Sequence, residues 1–363
     1  MKNGKLEFYR FIFCIAVLFF HLEMYIMGEP SLDSVRIMLF PHGNMGVEFF
    51  LILTGFLMAK SAFKAHNTMA VDDKPMSRIS VSNNLRFVGR KYLRLFPEHA
   101  VAFIFTFIVY IICHHCALTK IISLAVQNIP SFFLIQMSGI YLFNVNHIEW
   151  YLSTMMIVIA LIYPLCRRYY YGFTRYIAPL FSLIILGIMF YNTKSLSGVM
   201  TWIGFGYKST FRALVEISLG TTAYEITRVL KNKGPFSKQA RLWITIVEAG
   251  CLILVLLYML MTFPRKYEYY AMFLILILVI CAGTKESFGS SFFDKPFFYF
   301  LGEWSYPIYV SQLISMYIAN AFLTSYSMAL RIVIATAITV VASLIVYFVS
   351  KPIKTWTFSK IKI

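Results

Sequence analysis

Ten apolar runs, each close to the ~20 residues that cross ~30 Å of hydrocarbon, restrict what this chain can become. They fall at residues 8–27, 44–63, 99–118, 149–166, 176–192, 211–229, 242–262, 268–284, 303–323 and 328–349. A chain of 363 residues that spends its length this way has no room for a second soluble domain of ordinary size. The expectation is an all-α, polytopic membrane helical bundle, one transmembrane domain over residues 1–363, in a plasma or inner membrane. The first run is too long for a signal peptide and lacks a small-residue cleavage site, so it is expected to stay as a span.

Charge sets the topology. Between the third and fourth runs lies an apolar segment, 119–147, broken by Pro130 and Gly139. If it does not cross, both termini are cytoplasmic and 25 of the 33 Lys and Arg fall on that side. If it crosses, the split becomes 17 to 16. The positive-inside rule favours the first arrangement. The sequence therefore predicts about ten transmembrane helices plus a re-entrant or surface hairpin near 119–147. Non-helical backbone at such depth must line a cavity or be buried in protein. The same rule accounts for the net charge of +17, which needs no nucleic acid partner.

Six cysteines lie in or beside apolar runs, with a single CxxC spacing at Cys113–Cys116, and neither a disulfide framework nor a metal cluster is expected. Cys113, His114, His115 and Cys116 are adjacent, and adjacent helical residues point different ways.

The first span carries Arg10 and His21. Eleven steps at 3.6 residues per turn place both on one face, about 16 Å apart along the axis. Ionisable groups within a span usually face the bundle interior or a wet cavity. A buried neutral imidazole suits a general base, and a helix-to-helix hydrogen bond is the structural alternative. Glu48 lies one turn inside the second span, where it could orient His21 or simply snorkel. Gly46 and Gly55 could let that helix approach its neighbours closely.

Residues 67–84 read as a polar, mobile loop. Arg86, Arg90 and Arg94 then form a stripe at four-residue spacing. It suits anionic lipid headgroups or a phosphorylated ligand. Pro97 predicts a kink or fresh helix start. Trp150 and Tyr151 open the fourth span, as aromatic-belt anchors or as a sugar-stacking wall. Glu303, Trp304, Ser305 and Tyr306 open the ninth.

These segments together resemble the acyltransferase-3 family of integral membrane acyltransferases. Its patterns occur in order. They are an Arg and a His separated by ten residues, seen as Arg10 and His21; "GVEFFLILTGFL", Gly46 to Leu57; "RKYLRLFP", Arg90 to Pro97; "WYLS", from Trp150; and a Leu-Gly-x-x-Ser-Tyr-x-x-Tyr pattern from Leu301 to Tyr309. Lys91 stands where relatives often have Arg, Thr54 replaces Ser, Met155 stands where many carry Glu, and Gln312 where many carry His.

The resemblance implies transfer of an acyl group, usually acetyl, from cytoplasmic acyl-CoA to a hydroxyl of a glycan or lipid-linked saccharide on the outer side. In that reading Arg90, Lys91 and Arg94, with Arg10, meet the CoA phosphates. His21 acts as base or acyl carrier, with Glu48 beside it, and Trp150 and Tyr151 line the acceptor site. No metal is required. A glycan or lipid-precursor flippase would also use intramembrane Arg, His and Glu. It predicts repeats, and none is visible in the sequence.

Overall fold

The computed structural model describes residues 3–27, 38–69, 76–140 and 144–360. Among these, ten helices have sixteen residues or more. In chain order they are α1 (Gly4–Met27), α2 (Gly46–Met69), α3 (Met76–Cys113), α5 (Trp150–Arg168), α6 (Ala178–Thr193), α7 (Lys208–Asn232), α8 (Lys238–Leu260), α9 (Glu268–Thr284), α10 (Pro296–Phe322) and α11 (Met328–Lys360), with a short α4 (Leu118–Gln127) after α3. Eight of the long helical segments are apolar enough to cross a membrane. The remaining two, α7 and α10, are long enough but bury Arg212 and Glu216, and Ser311 and Gln312. Polar groups in such spans persist when they face other helices. The protein is a multi-pass helical bundle. One end of it, the basic end, carries Arg86, Arg90 and Arg94.

Close helix approach has identifiable causes. Gly55 of α2 lies against the Ile217 carbonyl of α7, and Gly220 of α7 lies against the Ile52 carbonyl of α2. A Cβ at either position would overlap backbone that cannot move aside. Gly46 performs the same service against Phe13 of α1. Gly55→Ala is expected to lower the melting temperature in detergent through an overpacking cost of about 1–3 kcal/mol. Gly250→Ala, on a face of α8 with open space around it, should be neutral or slightly stabilising.

Three features differ from the sequence expectation. First, α3 runs unbroken through Pro97. The proline removes one backbone hydrogen bond, and in a membrane bundle neighbouring groups support such a backbone. The carbonyl left free is that of Leu93, and two residues on the Tyr306 hydroxyl donates to the Leu95 carbonyl at 3.2 Å. Second, residues 76–84, expected as loop, are the first turns of α3; residues 70–75 of that loop lie outside the described residues.

Third, the helix expected to open at the outer face with Trp150 begins deep in the bundle. The Tyr309 hydroxyl of α10 donates to the Ile148 carbonyl. His99 of α3 stands 2.9 Å from Glu149. That histidine lies fourteen residues, about 21 Å, below the Cys113 end of its helix.

The intervening segment explains this placement. Ten residues of α4 rise only about 15 Å, too little to cross. After α4 the chain follows α3 downward. The Phe132 carbonyl meets His99 Nε2 at 2.9 Å, and Met137 N–H donates to Ser153 Oγ of α5 at 3.0 Å. It then returns to Asn128, whose side chain accepts from the Val145 N–H at 2.9 Å. The hairpin is re-entrant, and its foot is the 3₁₀ turn His147–Glu149 that starts α5.

Candidate active site

α1 sets the axis of the site. It packs along α10, and the half-buried His21 ring faces Gln312, Nδ1 to Oε1 at 2.9 Å. The Gln312 amide nitrogen already donates to the Tyr309 carbonyl at 2.8 Å. Its oxygen must therefore face the imidazole and accept from it. Nδ1 carries the hydrogen, and Nε2 keeps the lone pair. Gln312 lies ten residues, about 15 Å, below the Phe322 end of α10.

His147 adds a second imidazole. Its charge would be felt at His21, and its ring stacks on Tyr25 with centroids 5.5 Å apart.

Toward the basic end, Arg10 pairs with Glu7 at 2.9 Å. Lys91 turns to the inner face of α3, within electrostatic reach of both Arg10 and Arg94. Arg90 and Arg94 are exposed. Three cations thus converge below His21, and Arg90 extends them outward. Between the two levels lie Cys14, whose Sγ is 3.0 Å from the Ser305 carbonyl, and the edge-on pair Tyr151 and Tyr309, 4.8 Å apart. Tyr151 is buried in the core rather than placed in an aromatic belt.

Glu48 sits elsewhere. Its carboxylate pairs with Arg212 of α7 rather than with His21. Arg212 also holds Glu216 at 3.2 Å, one helical turn along. All three are buried. The guanidinium lies 5.5 Å from the Trp150 ring centroid, a cation–π arrangement. The structure therefore places His21 and Arg10 on one face of α1, Lys91 of α3 near Arg10, and Tyr151 against Tyr309 of α10 between the two levels. Glu48 and Trp150 belong to a second cluster beside these.

Sequence reasoning missed Arg212, Glu216 and the His99–Glu149 pair. The available signal was an ionisable residue inside an apolar run. Met155, where relatives often carry Glu, is buried and accepts from Thr54 Oγ1 at 3.5 Å. Among the described residues no three His, Cys, Asp or Glu side chains converge as a metal site.

Gln312→Leu removes the acceptor that fixes the His21 tautomer. If His21 is the reacting base, turnover is expected to fall about tenfold with little change in KM. Gln312→Glu, which keeps an acceptor oxygen, should recover part of the loss. Initial-rate kinetics on the three proteins checks this.

No curated protein and no solved structure matches the chain. A family described as "Acyltransferase domain" matches it over residues 3–348, nearly its whole length. Taken with the helical bundle and the ordered motifs, that match places the chain in the acyltransferase-3 family, and the protein is a multi-pass membrane acyltransferase.

Proposed function

We propose that the protein is an O-acyltransferase, acetyl being the default group. It would take the acyl group from cytoplasmic acyl-CoA and pass it to a hydroxyl of a glycan or lipid-linked saccharide across the membrane. The observation that carries this reading is the polarity of the α1 face. A lone-pair nitrogen on His21 lies about 16 Å along α1 from Arg10 on the same helix face, and Lys91 of α3 lies within electrostatic reach of Arg10. Arg10, Lys91 and Arg94 suit the phosphates of CoA; Arg90 extends the patch outward. The distribution of Lys and Arg supports placing the basic end and both termini in the cytoplasm.

In the direct route the acceptor O–H gives its proton to His21 Nε2 as its oxygen attacks the thioester carbon. The C–S bond breaks, and the imidazolium returns the proton to the departing CoA sulfur. The products are an ester and free CoA thiol. In the covalent route Nε2 attacks first, CoA leaves, and an acyl-imidazole is later opened by the acceptor hydroxyl. Tyr151, which lies between the basic end and His21, is proposed to line the donor side rather than the acceptor side, and Trp150 to stay with the Arg212 cluster. Glu48 contributes by fixing Arg212 beneath the Trp150 ring.

The test is thiol release from acetyl-CoA by the purified protein in lipid nanodiscs. It must exceed the background of the chain's own six free cysteines. Mass spectrometry of surface glycan with and without the chain runs in parallel. A mass difference of one acetyl group per repeat supports the reading. Thiol release no greater in its presence than in its absence, with unchanged glycan, removes it.

A further inference from the structure

Three buried side chains at the hairpin foot have acceptor oxygens with no partner. They are Gln136 Oε1, Asn146 Oδ1 and Glu149 Oε1. Each residue is at most 1 % exposed. The orientation of both amides follows from their nitrogens. Gln136 Nε2 donates to the Glu149 carbonyl at 3.4 Å, and Asn146 Nδ2 donates to the Val310 carbonyl at 3.4 Å. The oxygens are therefore left to face something else. The three residues adjoin one another, because the Glu149 N–H also donates to the Asn146 carbonyl at 3.1 Å. Buried acceptors without donors are costly and uncommon, so such a cluster asks for a ligand rich in N–H and O–H groups.

Its position says which ligand. The cluster is fixed to α10 just below Gln312: Asn146 donates to the Val310 carbonyl, and the Tyr309 hydroxyl donates to the carbonyl of Ile148, the residue before Glu149, while Tyr151 packs edge-on against Tyr309 at 4.8 Å. On the other side His147, next to Asn146, is within reach of His21. The collar of acceptors thus stands between the cations and the imidazole. An arm running from phosphates at Arg10 to a thioester at His21 would pass this level of the bundle.

We infer that Gln136, Asn146 and Glu149 form the binding collar for the pantetheine arm of the acyl-CoA, accepting from its amide N–H groups and hydroxyl. This rests on the acyl-CoA reading above. A sugar acceptor offers the same donor chemistry from the opposite side, so the test separates the two sources.

The experiment measures affinity for CoA and for adenosine 3′,5′-bisphosphate, the nucleotide half without the arm. It uses the full chain in nanodiscs, with Asn146→Leu, Gln136→Met and the double variant. The readout is the ratio of the two dissociation constants. This ratio is independent of the fraction of protein that is correctly folded. The wild type should bind CoA more tightly. Each variant should shrink that advantage about fivefold, and the double variant about 25-fold, with bisphosphate affinity unchanged. An unchanged ratio overturns the assignment. So does an unchanged ratio with a raised KM for the glycan, which gives the collar to the acceptor. An equal loss for both ligands marks general damage to the cation end and also counts against it. A wild type that binds neither ligand defeats the acyl-CoA reading itself, a result distinct from all of these.

Discussion

His21→Ala is expected to lower acyl transfer by about 10²–10⁴, the usual worth of a positioned acid–base group. Binding of CoA should change little, because the cations proposed for its phosphates, Arg10 on α1 and Lys91 and Arg94 on α3, lie toward the basic end, Arg10 about three helical turns from His21. Loss of turnover with retained affinity is the signature of a group that acts on the reacting atoms. Stopped-assay kinetics with acetyl-CoA gives turnover, and direct binding gives affinity. A variant that keeps turnover within a few-fold of wild type would exclude the imidazole from the chemistry. The same variant distinguishes the two routes. Radiolabelled acetyl-CoA without acceptor should label the wild-type chain if an acyl-imidazole forms, and should leave His21→Ala unlabelled. Absence of label on wild type favours direct transfer.

Arg212→Leu is expected to be the most destabilising single change in the bundle. Glu48 and Glu216 are buried on the same guanidinium. Neither Oε2 has another partner. Removing the cation leaves two carboxylates facing each other in a medium of low polarity. Breaking a buried ionic group in this way typically costs about 3–5 kcal/mol. Replacing the whole group costs far less, because no charge is left behind. The triple variant Arg212→Leu, Glu48→Gln, Glu216→Gln should therefore recover most of the melting temperature that the single variant loses. Thermal unfolding in one detergent compares the three proteins. A single variant as stable as wild type would show that the carboxylates find another way to neutralise.

Much of this architecture is legible in the sequence because it is local. Span length, the face shared by Arg10 and His21, and the bias of Lys and Arg depend on spacing along one helix or on counts. That the 119–147 segment turns back without crossing also follows from charge bias, whereas its descent beside α3 does not. What could not be read is pairing between distant positions. Gln312 is 291 residues from His21, and Arg212 is 164 residues from Glu48. No period relates them. Trp150 and Tyr151 looked like interface anchors because their depth was inferred from where the apolar run begins. The hairpin changes that depth by carrying the start of α5 down beside α3.

The turn from His147 to Trp150 has a consequence for how this protein can vary. Within four residues it answers to an imidazole on one helix, an ion pair on a second and a guanidinium on a third. Adding or deleting a single residue there would swing the following helix by about 100° and misalign all three at once. Drift and engineering have latitude in the connections remote from this turn, whereas here the spacing itself is under constraint. The turn is a shared anchor for three helices, so its length is fixed by contacts on all of them at once.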